Sequence, residues 1–549
     1  MNKPKLFNKY FYIYICLTIL ALFLRALIPQ NPRIDAVHDD SLMVQLAFNI
    51  LQGNWLGGWN ETEHPILTLF KPPGYPIFLV VSSLTGVPPI VGAMTIYLIA
   101  STFLIKYGFP GDFLTGKKII VYGLFAFNPA FFGDGSSLVY RDILNTAVLS
   151  SIIALCFYTL RVSLNTKMQS LIGIPFGLII GFSGLLKDDI KYLGFLGLGF
   201  IIITKLYKVI RNEHLKKHTI ISLAFFSTAT LISFLIFTSS IKYLNYSKYG
   251  VFLIEDNNSG NFPVLLSTLG TIEARKDQPD LYVSKFQIQE ASENSPTFKL
   301  MLPYFESDNL WKQISCNVTN VCDQSGVFFM HELRDAMYYA GLATSAKSFQ
   351  LNSKIIADEL KESCSAGGMQ CDTGIRIPGI YMSIDKINRK YVLDSFFQLN
   401  KSLFNWEYIG TQNPTTLEKK DVKTKEHWII IPGIKWDYQY HPISETALGL
   451  MSFKKILIWI YQIISMVFLV FFFVGIKLLF KNRKKFAHDS SLGLVVLMYL
   501  FSNVMMVLTN VAGWNSFGAG ANYFLIFSPL IVFFYSYIYF AIRHELEKI

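Results

Sequence analysis

Charged side chains that could do acid–base chemistry or bind an anion recur in three polar loops beside hydrophobic stretches. Loop 1 (residues 38–76), loop 2 (residues 133–142) and loop 3 (residues 187–191) contribute Asp39 and Asp40; Tyr140, Arg141 and Asp142; and Lys187, Asp188 and Asp189. Loop 1 also carries Lys71, in the sequence KPPGYP. Charges near hydrocarbon are costly unless paired or functional, so the loops are candidates for a site. For each charge, an interfacial anchor or a salt bridge is the alternative.

These residue types suit the transfer of a sugar from a polyprenyl phosphate, whose phosphate stays at the membrane surface because the lipid tail stays in the bilayer. A cation must stabilise the departing phosphate, and Lys71, Arg141 and Lys187 have the charge for it. A carboxylate must also take the proton of the acceptor hydroxyl. A partly desolvated aspartate has a raised pKa that suits this task, so Asp39 and Asp40 are the candidate bases.

The candidate bases precede a segment, residues 40–53, that predicts a short amphipathic helix. Met43, Leu46, Ala47 and Ile50 recur at helical spacing, and polar residues take the other face. The segment is too short and too polar to span a bilayer. We therefore expect it to lie in the interface plane, with its apolar side in the headgroup boundary or against other helices. Gly53 is the expected stop, and one of the two aspartates is expected to cap the helix.

The composition predicts a multispanning membrane protein. The 549 residues are 52% hydrophobic and only 16% charged, which excludes a soluble enzyme of ordinary composition. The net charge of +11 comes from basic residues in short segments between hydrophobic runs, a pattern that sets membrane orientation rather than nucleic-acid binding. Lysines before the first span place the N-terminus in the cytoplasm, and we expect an uncleaved anchor there. A bacterial inner membrane, with both termini cytoplasmic, is the expected location.

Ten spans are predicted. They cover residues 10–27, 75–105, 119–132, 143–160, 171–186, 192–204, 219–239, 456–480, 492–511 and 523–542. With this count, the three polar loops all lie on the outer side. The second stretch is interrupted by SSLTGVPP, which fits a broken or tilted helix or two separate pieces.

Three regions follow from these spans: a membrane module at residues 1–240, an extracytoplasmic soluble domain at 241–452 and closing membrane helices at 453–549. The soluble domain is expected to be mainly α, with helices over 328–343 and 346–364. Its four cysteines are Cys316, Cys322, Cys364 and Cys371. An oxidising compartment would let them form disulfides, and of three pairings the local pairs 316–322 and 364–371 are simplest. A zinc site is the alternative, although no CxxC spacing is present.

The Asp-Asp pair, the amphipathic helix and KPPGYP together resemble the first outer loop of the GT-C superfamily of membrane glycosyltransferases. The most similar branch is that of bacterial polyprenyl-phosphate-sugar transferases related to protein mannosyltransferases and aminoarabinose transferases. The sequences VYRDIL and LLKDDI resemble later outer loops of that group. The resemblance covers residues 10–240, and the closing spans more loosely. It implies that Asp39 is the catalytic base, with Asp40 beside it.

The sequence departs from this group in three places. Lys187 stands where arginine is commoner and offers a point charge rather than a bidentate fork. The last span lacks the frequent arginine before Tyr523, and the soluble domain follows the seventh span instead of the last. Supporting roles at the site are expected for several residues. They are His38, Tyr140, Asp142, Asp188, Asp189 and Tyr523.

The leading hypothesis is an inverting glycosyltransferase that moves a glucose- or mannose-type hexose from a polyprenyl phosphate to an acceptor. The acceptor would be a surface glycan such as O-antigen, a lipid-linked saccharide or a protein. No metal ligands are assigned, and the need for a divalent cation is left open. One alternative is a transporter or flippase for a lipid-linked or anionic solute, which predicts ionisable residues in mid-span and internal symmetry. Another is a sensor or scaffold whose soluble domain binds a partner.

Overall fold

The structure is a computed structural model that describes most of the chain. The described residues are 9–28, 30, 39–62, 66–109, 115–133, 138–162, 166–211, 216–273, 283–319, 328–372, 392–397, 400–401, 406, 428, 430–432, 453–467, 490–509 and 527–546. Within these ranges the regular structure is helical, and strand pairing is limited to an isolated antiparallel bridge between Ile272 and Cys371. The predicted α-helical class is confirmed.

Nine α-helices are described between residues 9 and 249. They are α1 (Lys9–Leu27), α2 (Asp40–Leu51), α3 (Gly74–Thr85), α4 (Pro89–Gly108), α5 (Gly116–Ala126), α6 (Asp142–Arg161), α7 (Thr166–Leu186), α8 (Asp188–Arg211) and α9 (Lys216–Tyr249). Among the described helices, α1, α4, α6, α7, α8 and α9 are long and apolar enough to cross a membrane. The chain is therefore an integral membrane protein with several spans, as the sequence predicted.

The second hydrophobic stretch consists of two helices, so the two-piece alternative is correct. Gly86 ends α3 in the left-handed conformation, with φ of 70°, and Pro89 begins α4. Gly86 and Pro89 suit these positions because glycine tolerates positive φ and proline fits the first turn of a helix. The third stretch is also divided, because α5 ends at Ala126 and a separate 3₁₀ turn follows at Pro129–Phe131.

Two membrane helices are longer than their hydrophobic stretches. The sixth predicted span was short, whereas α8 has 24 residues. The seventh was expected to end at residue 239, whereas α9 has 34 residues and continues to Tyr249. A helix of that length measures about 50 Å, against about 30 Å for the hydrocarbon layer, so part of α9 extends beyond the membrane. The predicted domain boundary at residue 240 therefore lies inside a continuous helix.

Helices α7 and α9 pack through a row of glycines on α7. Gly173, Gly177 and Gly181 recur every fourth residue and face the other helix. A Cβ atom on Gly173 would lie 2.6 Å from the carbonyl oxygen of Phe226 on α9. Small residues at this spacing let two membrane helices approach closely, which fixes the position of α7 and of the loop that follows it.

The described residues of the region predicted as a soluble domain are mainly helical, as expected. Its helices are α10 (Phe262–Leu269), α11 (Lys285–Asn294), α12 (Pro296–Lys299), α13 (Leu302–Glu306), α14 (Leu310–Thr319), α15 (Phe329–Tyr339) and α16 (Ala346–Ala366). The two helices expected at 328–343 and 346–364 correspond to α15 and α16. A disulfide joins Cys364 to Cys371 and confirms that predicted pair. Cys322 lies outside the described residues, so its pairing with Cys316 stays a prediction.

The closing region returns to the membrane helices of the first half. Residues 453–467 are helical, and α17 (Ser490–Thr509) and α18 (Ser528–Leu546) follow. Phe533 of α18 stacks on Phe109 at 4.7 Å between ring centroids. The first residue of α18, Ser528, accepts a hydrogen bond from the side chain of Asn128 at 2.9 Å. Other parts of the three predicted closing spans lie outside the described residues.

Candidate active site

Helix α2 is held between two hydrophobic cores, and this fixes its N-terminal end. Met43, Val44 and Ala47 belong to the core of the membrane helices. Leu42 and Leu46 belong to a second core, together with residues that follow α9. We expected the apolar side of this helix to lie either in the lipid headgroup boundary or against other helices. Its described contacts are with other parts of the protein. Of the predicted polar positions, Ser41 is buried, at 1% exposed, whereas Gln52 at the other end of the helix is exposed.

Asp39 occupies the N-cap position of α2, but its side chain makes no capping hydrogen bond. The expectation that an aspartate caps this helix is therefore wrong for Asp39. Its Oδ1 atom instead accepts a hydrogen bond from Nζ of Lys71 at 3.0 Å. The two side chains are 39% and 13% exposed, respectively. Asp40 is fully buried in the first turn of α2. Of the two candidate bases, Asp39 is thus the one that a substrate can reach.

Tyr140 connects loop 1 to loop 2. The ammonium group of Lys71 lies 6.0 Å from the centre of the Tyr140 ring, and the guanidinium carbon of Arg141 lies 5.3 Å from it. Lys71 also lies 5.0 Å from the centre of the Phe70 ring. These distances are within the range of cation–π attraction. Two predicted phosphate-binding cations therefore lie against the same aromatic ring.

Loop 3 meets the other two loops through the backbone at the end of α7. Nη1 of Arg141 donates a hydrogen bond to the carbonyl oxygen of Leu186 at 3.1 Å. Gly74, at the end of KPPG, packs so closely that a Cβ atom there would lie 2.5 Å from the carbonyl oxygen of Leu185. The partly buried Lys187 follows directly. The end of α7, which leads directly into loop 3, therefore contacts both loop 1 and loop 2.

The site has an unusual balance of charge around Tyr140. Burial raises the pKa of the Tyr140 hydroxyl well above 10, and the carboxylates of Asp39, Asp142 and Asp40 raise it further, whereas Arg141 opposes the shift. These charges can influence the hydroxyl because they lie close to it in a poorly solvated region. Tyr140 therefore keeps its proton at neutral pH and can serve as a hydrogen-bond donor.

Sequence reasoning missed two aromatic residues of the site. Tyr75 is 3% exposed and lies in the first turn of α3, four residues after Lys71. Phe70 is 1% exposed and lies beside Lys71. Phe70 directly precedes the KPPGYP motif and Tyr75 belongs to it, so this motif is the sequence signal that could have indicated them. Because they carry no formal charge, a pattern of charged residues in the sequence does not indicate them.

Several predicted residues cannot be placed relative to this arrangement. His38 and Tyr523 lie outside the described residues, as do the side chains of Asp188 and Asp189, whose backbone begins α8. Within the described part of the chain, no group of three or more histidine, cysteine, aspartate or glutamate side chains could hold a metal ion. The arrangement that the structure does bring together comprises a reachable carboxylate and two nearby cations. It can bind an anion while accepting a proton.

No protein-family model and no curated protein matches the sequence. Two solved structures are similar to it, both of ArnT from Cupriavidus metallidurans. The crystal structure bound to undecaprenyl phosphate aligns over 92% of this chain and 78% of its own, at 11% identity and a TM-score of 0.29. The apo crystal structure aligns over 92% and 77%, at 12% identity and a TM-score of 0.31. Because identity and TM-score are low, the proposed function rests on the residues of this chain.

Proposed function

We propose that this protein is an inverting glycosyltransferase that uses a polyprenyl-phosphate sugar as donor. The observation that supports it most is the Asp39–Lys71 pair, with 3.0 Å between Nζ and Oδ1, whose lysine also lies against Tyr140 of loop 2. Arg141 contacts the same Tyr140 ring as Lys71, which adds a second cation to the site. A reachable base beside two cations is what transfer from a phosphate leaving group needs.

In the proposed reaction, the acceptor hydroxyl oxygen attacks the anomeric carbon as Asp39 takes its proton. The bond between the anomeric carbon and the phosphate oxygen breaks, and its electron pair leaves with the polyprenyl phosphate. Lys71 and Arg141 neutralise the charge that builds up on that oxygen. A single displacement of this kind inverts the anomeric configuration. Asp40 is fully buried, so we assign it a supporting electrostatic role rather than contact with the acceptor.

The position of the site at the ends of apolar helices supports a lipid-linked donor rather than a soluble nucleotide sugar. The loops that carry the site begin or end at apolar helices, so a phosphate bound there would lie near the bilayer surface. The polyprenyl chain could then remain in the hydrocarbon. We further propose that the sugar is a glucose- or mannose-type hexose. A surface glycan such as O-antigen, a lipid-linked saccharide or a protein would accept it on the outer face of a bacterial inner membrane.

The experiment that tests this function is sugar transfer in membrane vesicles that contain the full chain. Radiolabelled polyprenyl-phosphate glucose and polyprenyl-phosphate mannose are supplied separately, and label in endogenous acceptors is measured. We expect wild-type vesicles to transfer label from one donor, and vesicles with the double variant Asp39→Asn, Asp40→Asn to lose transfer. Asp358→Asn is the matched control, because Asp358 pairs with Lys354 on the exposed surface of α16. Full activity in the double variant would exclude this mechanism.

A further inference from the structure

Arg334 of α15 is a fully buried cation that contacts both the soluble domain and loop 1. Its Nη1 atom donates a hydrogen bond to Oδ1 of Asp256 at 3.0 Å, and each of the two side chains is 1% exposed. The guanidinium carbon lies 4.9 Å from the ring centre of Phe70, 4.8 Å from that of Phe262 and 4.9 Å from that of Phe349. Phe262 and Phe349 belong to the core of the soluble domain, whereas Phe70 directly precedes Lys71.

Stability of the domain alone does not explain this choice of residue. A buried ion pair rarely stabilises a fold more than well-packed apolar residues would, because both charges must be desolvated. In the described part of the chain, Nε of Arg334 and Oδ2 of Asp256 have no hydrogen-bond partner, which adds to the cost. A planar guanidinium can, however, hold several aromatic rings in a fixed geometry. The placement therefore suits a residue that positions a ring.

Loop 1 is held at this point by its backbone as well as by the Phe70 ring. The backbone N–H of Asp256 donates a hydrogen bond to the carbonyl oxygen of Leu69 at 2.9 Å. The centre of the Phe70 ring lies 4.9 Å from the guanidinium carbon of Arg334 and 5.0 Å from the ammonium group of Lys71. An uninterrupted set of contacts therefore leads from a buried ion pair in the soluble domain to the proposed catalytic pair.

We propose that Arg334 is a positioning residue that fixes the Phe70 ring and thereby holds Lys71 beside Asp39. The effect on catalysis rests on the proposed function, whereas the positioning of loop 1 by Arg334 does not. The soluble domain then contributes to the membrane site by setting the geometry of loop 1. Lys71 acts most strongly when charge builds up on the phosphate, so misplacing it lowers kcat more than it changes KM for the donor.

The variants for the test are Arg334→Lys and Phe70→Leu, alone and combined, in the full chain. Arg334→Lys keeps a charge for Asp256 but loses the planar group, which avoids leaving a buried carboxylate unpaired. Phe298→Leu is the matched control, because Phe298 is also fully buried in an aromatic cluster but contacts Phe305 rather than the site. Replacing a buried phenylalanine with a smaller side chain destabilises the fold at any core position, so Phe298→Leu measures that general loss of stability.

Two measurements are made on each variant. The first is amide hydrogen exchange of residues 66–71, which requires no substrate. We expect exchange there to become several-fold faster in Arg334→Lys and Phe70→Leu, and to stay unchanged in Phe298→Leu. The second is kcat and donor KM per folded protein. We expect each site variant to lose about tenfold in kcat with little change in KM, and the double variant to lose no more than either single variant, because residues that act through one contact are not additive.

Unchanged exchange of residues 66–71 in Arg334→Lys would overturn the positioning role, whatever the protein catalyses. So would kcat losses that multiply in the double variant, since they would show independent effects. Faster exchange in a protein whose wild type transfers no sugar would retain the positioning of loop 1 and remove only the proposed glycosyl transfer. The failures of the two proposals are therefore distinguishable.

Discussion

Replacing Lys71 with methionine separates a structural role of the Asp39–Lys71 pair from a catalytic one. The pair joins side chains that are 13% and 39% exposed, so water screens it in part. Pairs of this kind contribute about 1 kcal/mol or less to the free energy of unfolding. A preorganised donor that contacts developing charge on a leaving group is worth far more, roughly 10²- to 10³-fold in kcat, or about 3–4 kcal/mol. We therefore expect Lys71→Met to lose activity out of proportion to stability.

The assay is sugar transfer by the purified protein in proteoliposomes, with Tm recorded for the same preparation. Lys71→Arg is the control that keeps the charge, and it should retain more activity than Lys71→Met. A Lys71→Met variant within about fivefold of the wild-type kcat would refute a contact between Lys71 and the leaving phosphate, since that factor corresponds to only about 1 kcal/mol. A loss of activity that merely follows a loss of folded protein would refute it equally.

Three further outcomes follow from the structure. Gly74→Ala should destabilise the protein by about 1–3 kcal/mol and reduce transfer, because the added Cβ meets the backbone at the end of α7. Gly123→Ala is the control, because a Cβ there has open space. A Tm of Gly74→Ala equal to that of Gly123→Ala would contradict the close packing at Gly74. Burial raises the pKa of Tyr140 in the folded protein, so above about pH 10 only the tyrosine of the unfolded chain ionises. Ionisation favours the unfolded chain, and the free energy of unfolding therefore falls as the pH rises above that value. The Tm of Tyr140→Phe should thus fall less than that of wild type between about pH 9 and 11. Replacing Cys364 and Cys371 together with serine should lower the free energy of unfolding by about 2–3 kcal/mol, and dithiothreitol should then have less effect than on wild type.

The sequence indicates which charges lie near the membrane surface, because several of them stand next to hydrophobic stretches. Lys71 and Arg141 lie within four residues of the predicted spans that begin at 75 and 143, so membrane insertion alone gives them similar depth, whereas Asp39 is placed by the N-terminal end of α2. The contacts between them could not be predicted in the same way. The approach of loop 1 to loop 3 depends on a missing side chain at Gly74, and that of loop 2 on a hydrogen bond to the backbone oxygen of Leu186. Neither contact has a local spacing that a sequence pattern records.

Helix ends and burial were predicted less well, for different physical reasons. Hydropathy reports the thickness of the membrane, whereas helix ends depend on breakers, so α9 continues past its apolar stretch until Gly250, with φ of 74°. The polar face expected for α2 assumed one apolar surface, but Leu42 and Leu46 belong to a second core that includes Val251 and Leu253. The Arg334–Asp256 pair joins residues 78 apart in sequence, which no helical period can indicate.

The most direct test of the central claim is a cryo-EM map of the full chain with undecaprenyl phosphate bound. We expect phosphate density at hydrogen-bond distance, about 3 Å, from Nζ of Lys71 and from the guanidinium of Arg141, with the carboxylate of Asp39 facing the adjacent open space. A phosphate bound elsewhere on the protein, remote from an intact Asp39–Lys71 pair, would show that these residues do not form the donor site.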